Sequence, residues 1–259
     1  EILETVTNIN IPIIHHIGFT NPPFNSIHLP TRKNYIIASA SYAVKDALIA
    51  ENFAKSDSPV IYPGARIDLF GEDVTKRKLP SAPDGSKDNP LCIAYAGLLM
   101  ATKGLHTLIE AIIKLKYKGI YTRTYIAGAE FQSKYKMEIE SFLEEHQSID
   151  SVFFTGCLNR SQLARLMSLN HIFVFPSIYP EAFGIVQAEA MASGLALISS
   201  GVGGSKEVIE SGKNGWLFKK SDSDDLSLKL STLIHKPELI KLFGERGIKL
   251  AKEKFSTLE

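Results

Sequence analysis

Two carboxylates, Glu181 and Glu189, stand eight residues apart in the run YPEAFGIVQAEAMASG. Glu181 precedes a Phe183-Gly184-Ile185 turn, and a helix-forming run with Glu189 inside it follows. A helix start carries free backbone N–H groups and a positive dipole end, which suits a phosphate. A carboxylate about one and a half turns into that helix can accept hydrogen bonds from ribose hydroxyls. The spacing points to a pocket for a sugar joined to a nucleotide. The helix is apolar nearly all round, with Ile185, Val186, Ala188, Ala190 and Met191 beside Glu189. Glu189 is therefore expected to be largely buried, which is costly without a partner. The alternative is an ordinary amphipathic helix with Glu189 merely exposed.

Three other groups of residues could do chemistry. Gly97-Leu98-Leu99-Met100-Ala101-Thr102-Lys103-Gly104 leads from a strand-like run to a helical one. Gly97 allows the backbone to turn close to a ligand. Lys103, at the start of the next helix, could act with free N–H groups on a diphosphate; a solvated surface lysine is the alternative. The spacing is not that of a Walker loop. Gly201-Val202-Gly203-Gly204-Ser205-Lys206-Glu207, with Asn214-Gly215 further on, permits a tight turn beside a ligand or is a plain turn. His15 and His16 are adjacent on a predicted strand and so point to opposite faces. No Cys or carboxylate nearby completes a ligand set, so no metal site is expected. One of the two histidines reaching into a cleft fits better.

Composition narrows the class. The chain has 259 residues, 44% apolar and 22% charged, with a net charge of +1. That is an ordinary globular balance, and the scattered basic residues leave no patch for nucleic acid. Cys92 and Cys157 lie far apart and form neither a zinc spacing nor a disulfide framework. No apolar run is long enough to span a bilayer and no signal peptide is visible, so a cytoplasmic setting is the expectation. The opening at Glu1 rather than Met points to a fragment or a processed product.

The elements that must position these residues alternate. IPIIHHIG and NYIIASA read as strands, SYAVKDALIAENF as a helix capped by Ser41, and SPVIYPGARIDLF as a strand breaking at Pro63-Gly64. Residues 71–90 are polar and rich in Pro, Gly, Asp and Lys, and read as a linker or surface loop. From residue 91, strands at LCIAYAGL, TYIAGA, SVFFTG, HIFVFPS, LALISS and GWLF alternate with helical patterns, including a short helix at SKEVIESG. Such alternation predicts a doubly wound parallel α/β sheet with right-handed crossovers. Ligands bind outside the carboxyl ends of its strands, where the motifs above fall. The alternation divides the chain into an N-terminal unit (1–70), a linker (71–90) and a larger unit (91–259).

These pieces in this order resemble family 4 of the retaining nucleotide-sugar glycosyltransferases, which have the GT-B architecture of two Rossmann-like domains. The likeness is carried by VIYPGARIDLF, YAGLLMATKGLHTLIEA, YIAGAE, FFTGCL and PSIYPEAFGIVQAEAMASGLALISSGVGGSKEVIESGKNGWLF. It implies that residues 91–259 form the donor-binding domain and that residues 1–70 are part of the acceptor-side domain. By the resemblance, Glu181 lies near the donor's sugar ring, and the backbone of Phe183, Gly184 and Ile185 holds sugar hydroxyls and phosphate. Glu189 binds the ribose, Lys103 the diphosphate, and Gly97 makes the close approach. The loop at Cys157 and Leu158 meets the base, and His16, with His15 next, faces the donor sugar. Glu181, Lys103 and His16 are the catalytic candidates.

The implied reaction moves a hexosyl unit, with retention, from a UDP- or GDP-type donor to an acceptor hydroxyl on a sugar, lipid or small molecule. No metal and no cofactor are expected, since no D-x-D clamp follows a strand. Peripheral membrane association is compatible with the family. Two departures stand out. Leu98 occupies the place of a usual phosphate-binding arginine, which leaves Lys206 or Arg66 as its replacement. The N-terminal unit is also shorter than the family's, so a truncated chain is expected. The rival readings are a nucleotide-sugar binding module without turnover and a GT-B-shaped nucleotide-sugar epimerase.

Overall fold

The structure, a computed structural model, describes residues 12–19, 35–71 and 81–256. The chain's opening at Glu1, the stretch 72–80 of the expected linker and the last three residues lie outside the described residues.

A small unit comes first. Strands β1 (Ile13–Ile17) and β2 (Tyr35–Ser39) pair in parallel, with Ile13 opposite Tyr35 and Ile17 opposite Ser39. Helix α1 (Tyr42–Ala50) follows, and Ser41 caps it by accepting a hydrogen bond from the Val44 amide at 3.1 Å. The expected strand in SPVIYPGARIDLF does not form. Val60 makes a single parallel bridge to Ser39, and the chain turns helical at α2 (Ile67–Gly71). Pro59 and Pro63 flank this bridge, and neither can donate to a ladder, so the pairing cannot extend. Ala65, Ile67 and Phe70 already pack in a core of the larger unit, ahead of the boundary read at residue 70.

The larger unit is a six-stranded parallel sheet in the order β5-β4-β3-β6-β7-β8. Its strands are β3 (Leu91–Ala96), β4 (Thr122–Ala127), β5 (Val152–Gly156), β6 (Ile172–Phe175), β7 (Ala196–Ser199) and β8 (Gly215–Leu217). Helices α3 (Leu105–Tyr117), α4 (Ser133–Glu145), α5 (Arg160–Ser168), α6 (Ile185–Ala192), α7 (Ser223–His235) and α8 (Glu238–Lys254) cover it. The short helix expected at SKEVIESG is a 3-10 segment, Gly204–Val208. Residues 81–90 fold back on this unit: Asp84, Ser86 and Asn89 close a hydrogen-bonded turn, and the Tyr121 amide donates to the Gly85 carbonyl.

Period-two alternation builds two cores, one per sheet face. Leu91, Ile93 and Tyr95 of β3 and Ile172 and Val174 of β6 join Leu105, Leu108 and Ile112 of α3 on one face. Ala94 and Ala96, with Phe173 and Phe175, face α6 and Ala251 of α8 on the other. Both faces are buried, so the strands read as near-continuous apolar runs, as parallel sheets require. Helix α6 packs on β6 and β7 on this second face, and its first residues Ile185 and Val186 lie by the strand ends.

A strut joins the two units. The Glu207 carboxylate accepts hydrogen bonds from the Tyr42 and Ala43 amides at the start of α1, both at 2.9 Å, and from the Tyr62 hydroxyl at 3.0 Å. An anion over a helix N-terminus is favourable for both charge and hydrogen bonding.

Candidate functional site

The strand order reverses between β3 and β6, and a cavity of about 440 Å³ opens beyond the carboxyl ends of these strands. Tyr95 to Leu98 from the end of β3, Ala127 to Ala129 after β4, Cys157 and Leu158 after β5, and Phe175 and Ser177 from β6 line it. Lys103, Glu181, Gly184, Ile185, Val186 and Glu189 complete the wall, with Arg160 and Leu163 of α5.

Lys103 ends a 3-10 turn, Ala101–Lys103, placed ahead of α3 rather than at its start. Its loop is clamped from both sides. The Leu99 amide donates to the Ala129 carbonyl at 3.0 Å, and the Ile178 amide donates to the Thr102 carbonyl at 2.9 Å. Lys103 Nζ donates to Glu181 Oε1 at 2.7 Å, and Ser177 Oγ donates to the same oxygen at 2.6 Å. An ammonium has three donors. This contact leaves two of them to face a ligand.

Glu181 is held by its backbone as well. Its amide donates to the Val202 carbonyl at 3.2 Å, and its carbonyl accepts from the Gly204 amide at 2.7 Å. The glycine-rich turn therefore packs against the segment carrying the first carboxylate. Helix α6 starts at Ile185 behind Gly184, with no side-chain cap and no acidic residue in its first turn. An uncapped helix start beside an ammonium group can hold a diphosphate.

One turn deeper, Glu189 is 1% exposed, and Arg160 Nη1 forms an ion pair with its Oε1. Its Oε2 is buried and has no hydrogen-bond partner among the described residues. Burial pushes the Glu189 carboxyl up to about 7, with Arg160 pulling it back. An orphaned buried carboxylate oxygen is uncommon and calls for a donor.

Six expected site residues thus line one cavity, Gly97, Lys103, Glu181, Gly184, Ile185 and Glu189, as do Cys157 and Leu158 of the expected base loop and Leu98 in the arginine's place. Two expected residues do not. The Phe183 ring is buried between Tyr62 and Phe255. His16 lies on the small sheet, where its Nε2 sits 2.8 Å from the Ile61 carbonyl oxygen. His15 meets the Tyr35 hydroxyl at 2.6 Å. Neither proposed replacement for the arginine reaches the cavity: Arg66 pairs with Asp68, and Lys206 is not among the lining residues. Arg160 and Ser177 are the functional-looking residues that spacing alone did not single out. The capping pattern Asn159-Arg160-Ser161-Gln162 right after the Cys157-Leu158 loop was the signal that Arg160 opens a helix at the cavity mouth.

Among the described residues no group of three His, Cys, Asp or Glu side chains is placed to hold a metal ion. No described helix is long and apolar enough to cross a membrane.

Comparison with known proteins places this geometry in a family. Residues 77–250 match the model described as glycosyl transferases group 1. The capsular polysaccharide biosynthesis glycosyltransferase CapM of Staphylococcus aureus is 25% identical over 232 residues, covering 85% of this chain and 58% of that protein. The sulfoquinovosyl transferase SQD2 of Arabidopsis thaliana is 30% identical over 165 residues, covering 62% of this chain and 30% of that protein. Among solved structures, a glycosyltransferase from Rickettsia africae superposes with a TM-score of 0.78 at 22% identity, over 94% of this chain and 66% of that one. Anabaena Alr3699/HepE in complex with UDP-glucose gives a TM-score of 0.74 at 22% identity, over 95% of this chain and 68% of that one. This chain therefore spans only about half the length of the curated relatives it matches. With a family match across most of its length and the doubly wound fold to go with it, the chain belongs to the group 1 glycosyl transferases.

Proposed function

We propose that this chain carries the donor site of a retaining glycosyltransferase that moves a hexosyl unit from UDP-sugar to an acceptor hydroxyl. The observation that carries the reading is one cavity uniting Lys103, the uncapped start of α6 and the buried Glu189. UDP is the first nucleotide to test, because the Anabaena neighbour is seen with UDP and UDP-glucose. The acceptor is a sugar, a lipid or a small molecule, and the domain division at 70/71 and 90/91 belongs to this reading.

In the reaction the bond between the sugar's anomeric carbon and the β-phosphate oxygen breaks. Its electron pair stays on the departing diphosphate. Lys103 and the α6 amides meet that growing charge and so favour the transition state over the bound donor. The acceptor oxygen bonds to the anomeric carbon on the face the diphosphate leaves. Its proton passes to the leaving phosphate oxygen. Glu181, already aligned by Lys103 and Ser177, accepts from sugar hydroxyls, and Glu189 accepts from the ribose.

Calorimetric titration separates these roles. Glu189→Ala is expected to weaken UDP and UDP-sugar alike, by about tenfold or more, the scale of one charged hydrogen bond. Glu181→Ala is expected to weaken the intact donor and leave UDP nearly unchanged. Equal small losses for both ligands in both variants would remove the assignment. Cys157 gives an independent check, since it is exposed and lines the cavity. UDP at ten times its Kd should slow Cys157 alkylation about tenfold by simple occupancy. Unchanged labelling would place the nucleotide elsewhere.

A second reading is a nucleotide-sugar binding module without turnover, which the gathering of the expected donor contacts within the larger unit allows. Slow hydrolysis of the donor by this chain would argue against it, and tight binding with no hydrolysis would support it.

A further inference from the structure

Arg160 is the first residue of α5, behind the capping Asn159. Asn159 Oδ1 accepts from the Gln162 amide and Gln162 Oε1 accepts from the Asn159 amide, both at 2.9 Å. The helix start is satisfied without Arg160, so its guanidinium serves no capping purpose. It reaches instead from solvent to a buried acid: the Arg160 side chain is 56% exposed and that of Glu189 2%. The pair links two helices across the cavity wall beside Cys157 and Leu158. One Glu189 oxygen is committed to Arg160, and the other is buried with no partner among the described residues.

We propose that Arg160 is a positioning residue that keeps Glu189 ionised and holds its carboxylate in place to accept from a vicinal diol, the ribose hydroxyls of a nucleotide. The inference rests on the nucleotide reading of this cavity. A diol brings hydrogen-bond donors, so its partner must accept. A protonated acid would set its own O–H against them. Burial favours that protonated form, and the guanidinium is the group opposing it. The other ionisable groups lining the cavity do not take over this task. Lys103 and Glu181 pair with each other, the Tyr95 hydroxyl donates to the Leu98 carbonyl at 3.2 Å, and Cys157 lies at the exposed rim.

The test uses Arg160→Met and Arg160→Lys in the full chain. Uridine is the probe, because it carries the diol and no phosphate, so a lost attraction between cation and phosphate cannot contribute. Its affinity is measured by NMR titration from pH 5.5 to 8.5, below the ionisation of the uracil N3–H, and the ¹³C shift of the Glu189 carboxyl is followed in the ligand-free proteins. Wild-type binding should strengthen as the pH rises through about 7. In Arg160→Met the carboxyl midpoint should move up by about one pH unit or more, with uridine bound at least about fivefold more weakly at pH 7. Affinity should recover towards the wild-type value as the pH rises to 8.5. Arg160→Lys should keep the midpoint within about half a unit of wild type, since it keeps the charge. A midpoint that stays in place in Arg160→Met, or a loss of binding equal at every pH, would overturn the proposal. If the wild type binds neither uridine nor UDP while the midpoint still moves, the control of Glu189 by Arg160 stands and the nucleotide reading fails.

Discussion

Lys103→Ala is expected to weaken UDP and UDP-sugar to the same degree, by about 10- to 100-fold, and to lower turnover by a further factor of about 10² to 10³. The first figure is the scale of a hydrogen bond between charged groups. The second is the scale of losing one preorganised donor where charge develops in the transition state. Two features of the site push the effect to the high side. Lys103 is held at 2.7 Å from Glu181, so no search over rotamers precedes binding. Without the lysine, Glu181 is left with Ser177 as its remaining side-chain partner, close to where a dianionic diphosphate would sit. Like charges in a partly enclosed site repel strongly. A double variant, Lys103→Ala with Glu181→Gln, should therefore recover part of the UDP affinity. Isothermal titration of the four proteins with UDP gives the cycle directly. UDP affinity in Lys103→Ala within about threefold of wild type would take the lysine out of the diphosphate site.

The second large effect is on stability. Gly104 has a φ of +69°, and a Cβ built on it would run into the Pro176 carbonyl. It forms the junction between the 3-10 turn of Lys103 and helix α3. Gly104→Ala should destabilise the fold by about 3 kcal/mol. Left-handed backbone contributes about 1–2 kcal/mol of this and the clash about 1–3. A loss of roughly 10 °C in Tm follows for a unit of this size. Gly119→Ala is the matched control. Its φ is +77°, but nothing lies within 4 Å of the added Cβ, so only the backbone contribution remains, about 1–2 kcal/mol. Equal Tm shifts for the two variants would show that the contact with Pro176 is not what constrains the loop.

Much of this was legible in the chain because it is local. The alternation in LCIAYAGL and HIFVFPS sets which side chains face which layer, and the observed cores divide along it. The parallel order follows from strands separated by helices. Burial of Glu189 was readable from its apolar neighbours along α6. What escaped depends on contacts distant in sequence. Arg160 is 29 residues from Glu189, and nothing in either local run announces the pair. The Phe183 ring packs against Tyr62 and Phe255 from remote parts of the chain, a contact separate from the amide role read for this residue. The strand expected near Val60 had the right residue types, and the prolines on both sides restricted it to one bridge. His16 was placed by resemblance over a short, loosely matching stretch, and in the structure a backbone carbonyl takes its ring nitrogen.

The Glu207 strut carries a lesson for anyone recombining halves of such proteins. One carboxylate ties the start of α1 and Tyr62 to the turn whose Gly204 amide grips the Glu181 carbonyl. A chimera cut between the two sheets would replace one side of this tie and keep the other. Residues 41–62 and 203–207 are therefore the pieces to exchange together, so that Glu181 stays in register with a foreign N-terminal unit.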